Sequence, residues 1–265
     1  MEELTKKAKQ ALRDGTISGF LGLKNEAGQI SPLLVTRDNL ENLELLTLED
    51  ERYPLAKILA RIAARYREET LGVMVRGCDE RAIVELIKAG QLSDGRVIKF
   101  GVACPQQLAE KCHCTRPFPS QIDAGEVATG MADEELLFPI EKRSTDERFQ
   151  FWMGQFGKCI KCYGCRNICP VCYCTECALE DELLTSRGKV PPDVPLFHLI
   201  KACHMIDRCI DCGLCEQVCP VGIPLRTIYR KMGQLMSELY DYVPGRAVEE
   251  KSPLGALEEG SQLVV

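Results

Sequence analysis

Two short runs of cysteine carry the strongest chemical signal in the sequence. The first lies within Lys158–Pro170 and the second within Asp207–Pro220, and both have the spacing C-x2-C-x2-C-x3-C-P. Three thiolates two residues apart lie on one tight loop, which can hold three corners of an iron–sulfur cube. Zinc ligands come instead as isolated C-x2-C pairs. The spacing therefore predicts two 4Fe-4S sites in preference to zinc ribbons or disulfides.

Both runs resemble those of bacterial two-cluster ferredoxins. In that family the Cys–Pro cysteine of each run ligates the cluster of the other run. The resemblance implies two crossed ligand sets, because each loop then supplies three ligands to one cluster and one to its neighbour. The first-run set is Cys159, Cys162, Cys165 and Cys219, and the second-run set is Cys209, Cys212, Cys215 and Cys169.

A further set of cysteines follows two predicted strand-to-helix units in the N-terminal half. Residues 72–75 and 97–103 are predicted to be buried strands, and a cysteine lies at the turn after each. If the strands are parallel, both turns lie at the sheet edge where open α/β sheets hold ligands, and both cysteines lie at helix N-termini, which favour thiolate. A metal centre is predicted, with 4Fe-4S ahead of zinc. The N-terminal set is Cys78, Cys104, Cys112 and Cys114.

Ordinary buried thiols are the alternative for the N-terminal set, because free cysteine is among the most buried residue types. His113 could replace one ligand. The remaining cysteines form the third set, which is Cys172, Cys174, Cys177 and Cys203. The sequence leaves open whether this set binds a 4Fe-4S cluster, zinc or nothing, and whether His204 is its fourth ligand. Together the four sets use all sixteen cysteines.

Composition narrows the function further. The chain has 265 residues, 45% of them hydrophobic, which is enough for a substantial core and one or two domains. The net charge is −6 without a basic tract, so nucleic acid is not expected as a partner. No apolar run is long enough to cross a membrane. Sixteen cysteines without a signal peptide predict a reducing, cytoplasmic environment and metal ligands.

The pattern predicts an α+β protein in three parts. Residues 1–148 are expected to form a small α/β domain with a possible metal site, residues 149–243 a two-cluster ferredoxin-like domain ending in a helix, and residues 244–265 a tail. Within the first part, helices are predicted over 2–13 and 54–69, and a hairpin turns at 25–28. Residues 115–148 are expected to be connecting structure. The tail is interpreted as disordered alone or as an arm that docks on a partner.

Two apolar patterns leave alternatives open. The aromatic stretch 149–156 could be an electron path or a flavin platform, but hydrophobic cover for a cluster is the favoured interpretation. The helix predicted from near Pro224 carries a stripe that could face the core or another subunit. Its members are Leu225, Ile228, Met232, Leu235 and Leu239.

A wider family resemblance covers about two thirds of the chain. From Cys159 through VGIPLRTIYRKMGQLMSELYDYVPG, the sequence resembles iron–sulfur subunits of anaerobic multi-subunit oxidoreductases. These are the beta-type subunits of formate dehydrogenase and of deazaflavin-reducing hydrogenase, and modules of heterodisulfide-reductase-type complexes. The segments VMVRGCDERAIVELIKAG and FGVACPQQLAEKC are similar to the small α/β region of those beta subunits. The resemblance implies partner subunits that contain flavin, molybdenum or tungsten.

The predicted function is an electron relay without catalytic residues of its own. No nucleophile with a base, proton-transfer pair or phosphate loop is evident. FAD stays an open question, because the sequence has no glycine-rich dinucleotide loop. One alternative is a flavin- or deazaflavin-dependent reductase with its site in the N-terminal domain. The other is a non-redox protein in which clusters or zinc serve structure or sensing.

Overall fold

A four-stranded mixed sheet organises the N-terminal half. The computed structural model describes residues 1–49, 51–186 and 188–255. The strands are β1 (Gly19–Glu26), β2 (Gln29–Val35), β3 (Leu71–Val75) and β4 (Val97–Gly101), in the order β2-β1-β3-β4. The β1–β2 hairpin is antiparallel and the β1–β3 and β3–β4 pairs are parallel. This confirms the expected hairpin and the parallel pair that positions the cysteines.

The helices of this half follow from their apolar spacing. They are α1 (Glu2–Asp14), α2 (Leu55–Arg65), α3 (Gly77–Lys88) and α4 (Gln106–Lys111). Helix α1 buries Leu4, Ala8 and Leu12, which recur at helical spacing. Helix α2 ends at Arg65, four residues earlier than predicted. A 3₁₀ segment, Arg37–Leu45, follows the hairpin.

Six further α-helices lie in the described residues after α4. They are α5 (Asp133–Glu141), α6 (Thr145–Gly157), α7 (Gly164–Asn167), α8 (Leu196–Cys203), α9 (Leu214–Gln217) and α10 (Leu225–Tyr240). The expectation of connecting structure over 115–148 is wrong, because α5 and the start of α6 lie there. A capping box between Ser144 and Glu147 begins α6 and is the local signal that was missed.

The predicted stripe of α10 is only partly buried. Leu225 is in the core, but Leu235 is 40% exposed and Leu239 is 70% exposed. The face that packs inward carries Arg226, Tyr229 and Arg230. Charged residues are therefore buried beside the apolar stripe that the pattern identified, and their partners lie in the cysteine loops described below.

The two halves share one continuous hydrophobic core. Phe20 and Val73 of the sheet belong to the same cluster as Phe156, Ile210 and Leu225. None of the helices in the described residues is long and apolar enough to cross a membrane.

The described part of the tail packs against the rest of the protein. The Gly245 N–H donates to Glu85 Oε1 at 2.7 Å, and Ser252 Oγ donates to Asp207 Oδ2 at 2.8 Å. The expectation of a tail disordered by itself is therefore wrong for residues 244–255. Residues 256–265 lie outside the described part.

Candidate metal centres

The second-run set surrounds one cavity with crossed membership. Cys209, Cys212 and Cys215 line it together with Cys169, which belongs to the other run. The cavity, including its mouth, has a volume of about 380 Å³. Apolar residues such as Met205 and Ile210 form part of its wall, and Lys201, Asp211 and Arg226 are the charged residues that line it.

The two runs have matching backbone conformations. Lys161 and Tyr163 have φ of 52° and 58°, and the equivalent Asp211 and Gly213 have φ of 53° and 73°. Left-handed residues alternating with right-handed ones turn backbone N–H groups to one side, and such concave nests are a feature of iron–sulfur sites. The repeated sequence spacing therefore produces a repeated loop with donors on its inner side.

The first-run set is also brought together. Cys159, Cys162 and Cys219 all act electrostatically on Cys165. The Lys161 N–H donates to Cys159 Sγ at 3.4 Å, and the Ile223 N–H donates to Cys219 Sγ at 3.4 Å. Hydrogen bonds to ligand sulfurs are one of the levers that tune cluster potential.

The N-terminal set converges as the parallel sheet requires. Cys78, in the first turn of α3, and Cys104, after β4, line one cavity with Cys112 and Cys114. Its volume, including the mouth, is about 350 Å³. The Gly77 backbone closes one side, because an added Cβ would lie 2.5 Å from Phe118 O. Cys78 is 26 to 36 positions away from the other three cysteines in the sequence, and all four meet at one edge of the sheet.

The expected thiolate stabilisation by helix N-termini is wrong for this set. Burial raises the pKa of the Cys78 thiol to about 12, and Asp79 acts in the same direction. Burial likewise raises the pKa of Cys104 to about 11. A helix terminus contributes about 0.3–1 kcal/mol, whereas full burial shifts a pKa by several units.

Arginine side chains give the N-terminal cavity the positive charge that the helix N-termini do not provide. Its lining contains Arg52, Arg76, Arg116 and Arg226, with Asp211 as the acidic residue. Arg76 is 4% exposed, and its Nε has no hydrogen-bond partner among the described residues. An anionic group in the cavity would compensate these cations, and cluster sulfur can accept from the free Nε. The donor set and its charge therefore fit a thiolate-ligated cluster.

A buried ion-pair network joins the N-terminal and second-run loops. Arg226 Nε donates to Asp211 Oδ1 at 2.7 Å, and Arg230 Nε donates to Oδ2 at 3.1 Å. Arg230 also donates to His113 O at 2.6 Å. Burial alone would raise the pKa of Asp211, but the two arginines outweigh it and lower the pKa below its ordinary value. His113 thus contributes its backbone oxygen to this network, and its imidazole is not one of the groups that line the N-terminal cavity.

Three cationic side chains of the N-terminal half donate hydrogen bonds to backbone carbonyl oxygens of the cysteine loops. Arg52 donates to Cys212 O, Lys57 Nζ donates to Cys169 O at 3.2 Å, and Arg81 Nε donates to Ile210 O at 3.3 Å. Hydrogen bonds from charged donors are stronger than neutral ones. These contacts orient both loops against the sheet.

The third set lies at the surface. Its four cysteines line a wide cavity of about 1210 Å³ with His204 and with Leu254 of the tail. Cys174 and Cys203 are exposed, whereas Cys172 is partly buried. This arrangement is consistent with the prediction that the four residues meet. Both Cys203 and His204 line the cavity, so either side chain is placed to be the fourth ligand.

The second-run, N-terminal and third sets each line a cavity, and their sulfurs do not converge on a single point. A tetrahedral zinc ion with Zn–S of about 2.3 Å draws its sulfurs to within about 4 Å of one another. In residues 1–49, 51–186 and 188–255, no three His, Cys, Asp or Glu side chains are close enough to hold a single ion. A cube instead separates its four ligands and occupies the space between them.

Part of the aromatic stretch packs against α8, and its role as cover for a cluster stays a prediction. Phe156 is buried and stacks on His198 with ring centroids 4.5 Å apart, and Trp152 stacks on Phe156 at 5.6 Å.

Sequence reasoning missed the charged residues of the site. Arg76, Asp211 and Arg226 lie at or between the cysteine cavities, and Lys201 is buried beside them. One signal was present: Arg226 and Arg230 are four residues apart on α10, and Asp211 lies inside a cysteine run.

Comparison with known proteins agrees with the cysteine chemistry. A family model described as a 4Fe-4S binding domain matches residues 204–224. The chain is 39% identical over 114 residues to an F420-dependent formate dehydrogenase subunit beta of Methanocaldococcus jannaschii, covering 42% of the chain and 30% of that protein. It is 43% identical over 102 residues to an F420-dependent formate dehydrogenase 1 subunit beta of Methanococcus maripaludis, covering 38% of the chain and 26% of that protein.

The match spans less than one third of either relative's length. The resemblance to formate dehydrogenase beta subunits is nevertheless confirmed. The chain therefore contains a segment that matches a 4Fe-4S binding domain and is similar over about two fifths of its length to beta subunits of F420-dependent formate dehydrogenases.

Proposed function

We propose that the chain holds four 4Fe-4S clusters and relays electrons between partner subunits. The observation that carries this proposal is the position of Cys212. It belongs to the second-run set and also lines the cavity of the N-terminal set. Burial raises the pKa of the Cys212 thiol, and the neighbouring Cys169 and Cys78 raise it further. Two cluster positions are thus direct neighbours across one cysteine.

The second-run site is the centre of the relay. Burial raises the pKa of the Cys215 thiol, and Cys165 of the first-run set lies close enough to raise it further. Burial also raises the pKa of the Cys172 thiol of the third set, and Cys169 lies close enough to raise it further. The N-terminal, first-run and third sites therefore each adjoin the second-run site. The arrangement supports a branched path with a central cluster.

When bound, each cluster accepts and releases single electrons. The residues of the chain hold it, exclude water and surround it with cations that set its potential. The third site is at the surface, which suits exchange with a partner. The proposed partners are flavin-, molybdenum- or tungsten-containing subunits of a cytoplasmic oxidoreductase complex similar to F420-dependent formate dehydrogenase.

Iron content tests the number of clusters. Full-length protein purified without oxygen is expected to contain about sixteen iron atoms, four per cluster, with matching sulfide and Mössbauer spectra. Substitution of both Cys78 and Cys104 by alanine is expected to remove about four of them. The matched control substitutes Cys174 and Cys203, which removes a different four. About eight iron atoms in the wild type would reject the N-terminal and third sites, and fewer than eight would reject the ferredoxin pair.

A further inference from the structure

Lys201 is a buried cation without a carboxylate partner. It lies on α8, is 4% exposed, and donates from Nζ to Tyr229 Oη at 3.0 Å. Across the described residues, no carboxylate lies within ion-pairing distance, 4.0 Å, of that nitrogen. Burying an unpaired charge costs several kcal/mol, so another anion must compensate it in the functional protein.

The groups around Lys201 are the predicted cluster ligands. Its side chain lines both the second-run cavity and the third-set cavity. Cys165 of the first-run set lies within its electrostatic reach. The N-terminal cavity is lined by arginines, Arg76 among them, and Lys201 is not one of its lining residues. Lys201 thus adjoins three of the four sets.

Tyr229 holds the ammonium in position. Its hydroxyl accepts the hydrogen bond, and its ring centroid lies 4.7 Å from Nζ. Tyr229 is itself 4% exposed and lines the second-run cavity. A lysine ammonium has three donors, so two N–H groups stay directed away from the tyrosine, where cluster sulfur can accept them.

We propose that Lys201 is the shared counter-cation of three iron–sulfur sites and raises the reduction potentials of the two ferredoxin-type clusters. The inference rests on the proposed function in one respect, that these clusters are bound. Four thiolates make a cubane anionic, and one-electron reduction adds one negative charge. A fixed cation nearby stabilises the reduced form more than the oxidised form.

Redox titration of the full-length, cluster-loaded protein tests the proposal. A viologen mediator supplies the electrons, and electron paramagnetic resonance follows each cluster. Lys201→Met is expected to lower the equilibrium constant for reduction about tenfold in both ferredoxin-type clusters, which is 59 mV for one electron. Lys201→Arg keeps the charge and is expected to stay within about threefold of the wild type. The control Lys158→Met removes an exposed lysine beside the first run and is expected to change the constant less than twofold.

Unchanged potentials in a fully loaded Lys201→Met protein would overturn the proposal. If that variant fails to retain clusters, iron content of Lys201→Gln and Lys201→Arg decides. If only the arginine variant retains its iron, the clusters require a cation at this position. If both variants lose iron equally, the positive charge is not what position 201 supplies. The iron content of the wild type separates these outcomes from failure of the proposed function, because a wild type without clusters rejects that function directly.

Discussion

Asp211 compensates two buried arginines at the wall between two cysteine cavities. Asp211→Asn leaves Arg226 and Arg230 without their shared carboxylate, and breaking a buried pair typically costs about 3–5 kcal/mol. We expect the free energy of unfolding to fall by about that amount in urea titrations of the loaded protein. The control Asp241→Asn breaks an ion pair whose aspartate side chain is 92% exposed, and its expected cost is below about 1 kcal/mol. Equal, small losses in both variants would contradict the network's role.

Because His198 is buried, we expect part of the free energy of unfolding to depend on pH in the acidic range. Burial, assisted by Lys201, lowers the pKa of His198 to about 4, and neither ring nitrogen has a hydrogen-bond partner among the described residues. The unfolded chain takes up a proton near pH 6.5 and the folded chain only near pH 4. The contribution is therefore fully present above about pH 6.5 and decreases as the pH falls toward 4, by roughly 3 kcal/mol in total.

His198→Phe is expected to remove this dependence while keeping the stack with Phe156. The measurement is the free energy of unfolding of wild type and variant at several pH values between 7 and 4. Their difference should shift in favour of the variant as the pH falls. Phe156→Leu is the control, because it alters the same stack without removing a titratable group, and its effect on the free energy of unfolding should be the same at every pH. A constant difference between wild type and His198→Phe would show that His198 does not titrate in this range.

At the scale of elements, the two cysteine loops are interlocked. Cys169 follows α7 in the first run but lines the cavity of the second. We therefore expect Cys169→Ala to diminish the signal of the second-run cluster and to leave more of the first-run signal. Cys165→Ala is the matched change, with the opposite selectivity. Electron paramagnetic resonance of the reduced variants measures both signals. Selective loss of the first-run cluster in Cys169→Ala would mean that each run serves its own cluster.

At the scale of the whole molecule, the cavities form one connected system on a shared core. We expect the isolated chain to exchange electrons with a viologen and to reduce neither a nicotinamide nor a deazaflavin. Clusters carry single electrons, and hydride transfer needs a cofactor such as a flavin. Absorbance changes under anaerobic mixing measure both reactions. Chelator-treated, iron-free protein is the control and should lose the viologen reaction. Rapid deazaflavin reduction by the pure chain would favour the reductase alternative.

Local sequence was enough to predict candidate ligands and most of the elements that carry them. The C-x2-C-x2-C-x3-C-P spacing is covalent, so it specifies a loop of three donors whatever the surroundings. Strand 71–75 is short, apolar and fully buried, which favours parallel pairing; it pairs in parallel with strand 97–101, of which only the last two residues are buried. Cys78 and Cys104 could therefore be placed at one sheet edge from sequence alone. Crossed ligation was predictable only through the ferredoxin resemblance.

Tertiary structure decided the electrostatics. Lys201 and Arg226 are buried, and Asp211 is partly buried, by contacts with residues that are distant in sequence, and no local pattern marks which charges a fold will enclose. The same cause reversed the expected thiolate character of Cys78, because burial outweighs a helix terminus by several-fold in free energy. Ligand identity is a property of neighbouring residues along the chain, whereas charge, burial and the adjacency of cavities depend on the packing of the whole protein.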